Sequence, residues 1–74
     1  MRKFNQHDLN EYEMNILANA DYFTLVRFAG RGKFITEKFT SLNVLKSFAE
    51  QYTHNYMVYA CTNEGRDAPI GDYS

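Results

Sequence analysis

Residues 22–39, "YFTLVRFAGRGKFITEKF", constrain the fold more than any other stretch. Two runs of β-branched and aromatic residues, "YFTLVRF" (22–28) and "KFITEKF" (33–39), flank "AGRG", the sequence form of an antiparallel β-hairpin. A three-residue loop Gly30-Arg31-Gly32, with Gly32 left-handed as a bulge, pairs Phe28 with Phe34. On that register Phe23, Leu25, Ile35 and Phe39 share one sheet face, with Arg27 and Glu37 as diagonal neighbours on it. Tyr22, Thr24, Val26, Phe28 and Phe34 share the other face. Side chains alternate with period two, so a slip of one residue would exchange the faces of one strand.

The flanking segments supply what such a hairpin packs against. "DLNE" at Asp8 has the form of a capping box, with Asp8 accepting from a first-turn amide and Glu11 reaching back. Leu9, Tyr12, Ile16 and Leu17 then fall on one helical face, and Asn19 tolerates the left-handed conformation of a helix end, which predicts a helix over 8–19. A second helix, 42–54, opens at Ser41 or Thr40 and repeats Leu42, Leu45, Phe48, Ala49 and Tyr52 on one face, with His54 and Asn55 closing it. "YMVYACT" (56–62) reads as a strand alternating Tyr56, Val58 and Ala60 against Met57, Tyr59 and Cys61. "NEGR" is a turn, and "DAPI" offers a short fourth strand that Pro69, lacking an N–H, confines to an edge. "GDYS" is expected to fray.

The order α-β-β-α-β, with that short fourth strand, specifies a small two-layer α+β domain around an antiparallel sheet. With 74 residues the chain makes one domain, 1–74, and buries only about 60% of its unfolded surface. The third strand is apolar on both sides, so either the first helix or a partner covers the second face. We expect the first helix to pack at an edge and leave aromatic surface exposed.

Aromatics at 16% exceed what one small core obviously needs, and Tyr is enriched at interfaces. The candidate interface rings are Tyr22, Phe28, Phe34 and Tyr59. Eight Lys and Arg against nine Asp and Glu exclude a globally basic nucleic-acid binder and a strongly acidic mimic. A local basic patch remains: Arg31 and Lys33 at the hairpin tip, with Arg27 and Lys38 along its strands, could grip phosphate. "GRGK" is no Walker loop, because one residue separates its glycines and Phe34 follows the Lys. Turns need Gly, and Lys and Arg blunt exposed edges against aggregation, so the segment reads first as a hairpin tip.

Catalysis and metal binding find no pattern to rest on. His7, His54 and Cys61 are the only soft ligands, and they form neither an i, i+4 pair nor a C-x-x-C. Cys61 with His54 would be a thiol and its base, but a lone Cys in a strand is more often a small buried hydrophobe, and His54 reads as a cation beside a helix C-terminus. Glu11 with Glu13 and Glu64 with Asp67 fall on a solvated helix face and in a turn. No enzymatic activity, cofactor or metal is expected. One cysteine allows no intrachain disulfide, and "MRKFNQHDLNEYE" is followed by no apolar run, so neither a signal peptide nor an anchor is expected and the protein is read as cytoplasmic.

Two resemblances bear on function. "FTLVRFAGRGKFITEKFTSLNVLKSFAEQY" (23–52) resembles the hairpin-then-helix of the arm-type DNA-binding domains of tyrosine recombinases, which implies that Arg27, Arg31, Lys33 and Lys38 contact DNA. Those domains are basic and complete their sheet before the helix, whereas this chain carries net charge −1 and places a strand after it. The whole pattern, with "NYMVYACTNEGRDAPI" following the capped helix, looks like small uncharacterised proteins of tailed phages. That resemblance implies a compact non-enzymatic module that binds a host protein or itself, a homodimer included. Nucleic-acid binding through hairpin 27–38 is the alternative.

Overall fold

The hairpin forms around the expected pair. In the computed structural model, which describes residues 3–52 and 54–73, β1 (Tyr22–Gly30) lies antiparallel to β2 (Lys33–Phe39) with Phe28 opposite Phe34. The turn differs from expectation. Gly30 pairs with Lys33 and the register shifts between Phe28 and Gly30, so the bulge lies in β1 and not at Gly32. Only Arg31 and Gly32 remain in the loop, at φ 54° and 74°. Positive φ at both positions matches the twist of the flanking strands, and Gly30, itself at φ 88°, lets β1 bend early. Arg31, as a non-glycine residue there, costs about 1–2 kcal/mol.

After the hairpin the sheet grows in the order β2-β1-β3-β4, with β3 (Tyr56–Cys61) and β4 (Asp67–Tyr73) both in antiparallel pairs. Since β2 and β3 both run antiparallel to β1, they are parallel to each other, and the chain must cross over the sheet between them. Helix α2 (Leu42–Gln51) makes that crossover and docks as it passes. Leu45 and Ala49 are completely buried, and Leu42, Phe48 and Tyr52 flank them against the core. The predicted face is the buried one.

Several boundaries move, each for a local reason. Helix α2 ends at Gln51, not at 54, because Tyr52 turns extended (ψ 129°) and its ring approaches that of Tyr56 at 5.9 Å. The cation at its C-terminus is Lys3, whose ammonium donates to the Ala49 carbonyl at 3.4 Å and to that of Tyr52; His54 stands beyond, edge-on to the Tyr52 ring. Ser41 occupies the N-cap with extended backbone but makes no side-chain capping bond. Helix α1 is Glu11–Ala18, shorter than 8–19. The box forms two residues later than expected: Glu13 N–H donates to Asn10 Oδ1 and Asn10 N–H to Glu13 Oε1, while Asp8 lies in a 3-10 turn, Gln6–Asp8. Strand β3 stops at Cys61, one residue early.

The largest correction concerns the C-terminal end. "GDYS" does not fray: Gly71, Asp72 and Tyr73 continue β4, and Tyr73 is only 4% exposed; Met1, Arg2, Thr53 and Ser74 lie outside the described residues. A bulge opposite Val58 and Tyr59 accommodates Pro69 on this edge strand and sends Ile70 into the core. Tyr73 stacks on Tyr56 with ring centroids 5.3 Å apart, and Phe4 meets Tyr73 edge-on at 5.7 Å. Phe4 N–H donates to the Tyr56 hydroxyl at 2.8 Å. Gly71 makes this packing possible, since a Cβ there would sit 2.9 Å from the Tyr73 hydroxyl.

All of this lies on one side of the sheet. Phe23, Leu25, Tyr56, Val58 and Ala60 bury beneath the helices, and Leu9, Ile16, Leu17 and Ala20 bring α1 onto the same cluster. Helix α1 sits toward the β3–β4 edge, where Ile16 and Ala20 line a cleft with Ala60 and Ala68. Tyr12, expected on its inner face, is instead 73% exposed. The product is a two-layer α+β domain with a four-stranded antiparallel sheet, order α-β-β-α-β-β. Among the described residues no helix is long and apolar enough to cross a membrane.

Candidate functional site

Because both helices take the Leu25 face, the opposite face has no helix over it among the described residues. Strand alternation and the register arrange it in rows. Phe34 lies beside Phe28, at 5.8 Å between ring centroids. The next row runs Thr36, Val26, Met57, Asp72, and the one after it Lys38, Thr24, Tyr59, Pro69. Tyr22, Cys61 and Asp67 form the last. Phe28 is 52% and Phe34 66% exposed, whereas Tyr22, Val26, Met57 and Tyr59 are half-buried by their neighbours in the sheet.

The four candidate interface rings, Tyr22, Phe28, Phe34 and Tyr59, therefore share this open face. Other rings of the chain are used differently: Phe39, Phe48, Tyr52, Tyr56, Tyr73 and Phe4 touch in sequence across the covered side. Met57, Asp67 and Asp72 belong to the open face too, though none is among the candidate interface residues read from the sequence; Asp67, read with Glu64 as part of a turn, opens β4 instead. The alternation in "YMVYACT" contained the signal for Met57. Nothing local signalled the acidic pair, whose orientation depends on the β4 bulge.

The basic residues are not brought together. Arg27 points to the covered face and donates to Glu37 Oε1 at 3.2 Å, beside Tyr52. Lys38 points the other way, its ammonium 4.4 Å from the centroid of the Tyr22 ring. Arg31 and Lys33 stay exposed at the tip. Four charges that look contiguous in sequence thus divide among two faces and a turn.

Cys61 is 1% exposed, although it belongs to the open face. Its Sγ lies 3.6 Å from Thr24 Oγ1. Burial pushes the thiol up, the Thr24 hydroxyl opposes that and Asp67 adds to it. Tyr22 is likewise pushed up, first by burial and then by Cys61 and Asp67. A thiol held protonated is a poor nucleophile. His54 precedes β3 and Cys61 ends it, so about 3.3 Å per residue puts them roughly 20 Å apart, too far for a thiol and its base. His7, near α1, joins neither; it borders a groove with Met14, Leu17 and Leu42.

A scan against protein-family models finds no match to this chain, and comparisons with curated proteins and with solved structures find none either.

Proposed function

We propose that the chain is a non-enzymatic interaction module that docks a protein on its open sheet face. One observation carries this reading: a face with Phe28, Phe34, Val26, Met57, Tyr22 and Tyr59 has no helix over it among the described residues, while the opposite face carries the core. Aromatic and Met side chains are the types enriched at protein interfaces, and adjacent strands place them side by side on one surface. The resemblance to small tailed-phage proteins read from the sequence suggests a host protein or a second copy as the partner.

Nucleic-acid binding through the hairpin receives less support from the geometry. With Arg27 paired to Glu37 on the covered face and Lys38 turned to the open face away from the tip, two of the hairpin's four cations, Arg31 and Lys33, stand together to meet phosphate. A log–log salt slope of only about −2 would follow, against about −3 to −4 for four contacts.

The test compares two double variants. Phe28→Thr with Phe34→Thr should abolish stoichiometric capture of a protein from host lysate, and Arg31→Ala with Lys33→Ala should leave it intact. Micromolar binding of random oligonucleotides, lost in the tip variant and steep in salt, would overturn the proposal.

A further inference from the structure

The open face carries its charges at opposite edges. Lys38 stands on edge strand β2; Asp67 and Asp72 stand on edge strand β4, with Pro69 between their rows. Between the two edges lie Val26, Thr24, Met57 and Tyr59, which are uncharged. Lys38 shares its row with Thr24, Tyr59 and Pro69, so it stands level with the gap between the two carboxylates. This is the pattern of a self-complementary surface.

Resting on the docking reading above, we infer that the occupant of this face is a second copy of the chain, stacked sheet on sheet about a two-fold axis parallel to the strands. That axis reverses the strand order and keeps each row's height, so β2 of one copy lies over β4 of the other. Each Lys38 ammonium then meets the partner's acidic pair, twice per dimer, as an isologous contact requires. Facing sheets pack about 10 Å apart and rotate by about 30°. The edge strands lie roughly 7 Å from the axis, so this rotation moves Lys38 by about 4 Å, one residue, along β4. A lysine spans that shift. An axis across the strands would instead lay β2 over β2 and β4 over β4, so that edges of like charge face one another. The face measures roughly 20 Å by 20 Å in plan, which puts the contact at the low end of specific interfaces and makes the dimer weak.

The experiment is sedimentation equilibrium from about 10 to 300 μM on the parent, on Lys38→Asp, on Asp67→Lys with Asp72→Lys, and on an equimolar mixture of the two variants. The parent dimerises over this range. Each variant alone associates at least about tenfold more weakly, because like charges now face one another. The mixture regains the parental affinity, because a heterodimer restores both contacts. Melting curves check that the variants fold; Lys38→Gln replaces a variant that does not, with weakening again expected. Variants that dimerise like the parent, a stronger Lys38→Asp dimer, or a mixture no tighter than its components would overturn the stacked geometry. A parent that stays monomeric throughout would overturn self-association, while the docking reading stands or falls separately on lysate capture by the Phe28→Thr with Phe34→Thr variant.

Discussion

Leu25 and Val26 are neighbours in β1, of similar hydrophobicity, and they meet different fates: Leu25 is fully buried under the helices and Val26 lies half-buried on the open side. The same contrast divides the sheet. On the covered face Val58, Tyr56 and Ala60 bury against Leu45, Ala49, Ile70 and Tyr73; on the open face Met57 and Tyr59 lie among their strand neighbours and stay half-buried. Hydrophobicity alone does not distinguish the two. What decides is where the crossover lands: α2 must pass over the sheet between β2 and β3, and its apolar stripe attaches to the side it crosses. The first helix then joins the same side, where Leu9, Ile16 and Leu17 extend an existing core. A chain of this size has enough helix to cover one face and enough apolar residues for two.

The largest effects should come from the covered face. Leu45 is fully buried at the centre of α2, and Leu45→Ala should cost about 3–5 kcal/mol, most of the stability of so small a domain. Urea denaturation would show a collapsed midpoint. A loss below about 1 kcal/mol would mean that α2 is not the lid of the core.

Alkaline pH sharpens the comparison with a smaller effect. Cys61 on one face and Tyr56 on the other are both pushed up by burial, Tyr56 against the opposing bond from Phe4 N–H. A group raised on folding stabilises fully below its ordinary value, and that stability is lost as pH rises through the folded value. Melting temperature should therefore hold steady to about pH 8, fall above the ordinary thiol value of 9.0, and fall further above the ordinary phenol value of 10.0. Cys61→Ala should remove the first fall only. An unchanged onset in that variant would mean that the open face is wet around position 61.

Legibility from sequence followed how local the determinants are. The hairpin register, the buried stripe of α2 and the alternation of β3 rest on periodicity within one segment, and they stand as expected. The placement of Tyr22, Phe28, Phe34 and Tyr59 on one face follows from the same alternation. What was not legible depends on distant partners. Lys3 and Phe4 give no local pattern, yet one caps α2 and the other packs on Tyr73. "GDY" reads as a tail until Tyr56 supplies a ring for Tyr73 to stack on. The basic cluster was an artefact of linear proximity: alternation sends Arg27 and Lys38 to opposite faces, which a count of charges does not register.

The central claim is that the open face is dispensable to the fold and so free to bind. It is tested most directly by the melting temperature of Phe28→Thr with Phe34→Thr at low micromolar concentration, where association does not contribute. Thr keeps the strand preference and removes both rings, whose cross-strand pairing is worth about 0.2–1 kcal/mol. The account predicts a fall of no more than about 6 °C for a domain of this length. A fall above about 15 °C, equivalent to losing a core residue, would contradict it and place these rings in the core.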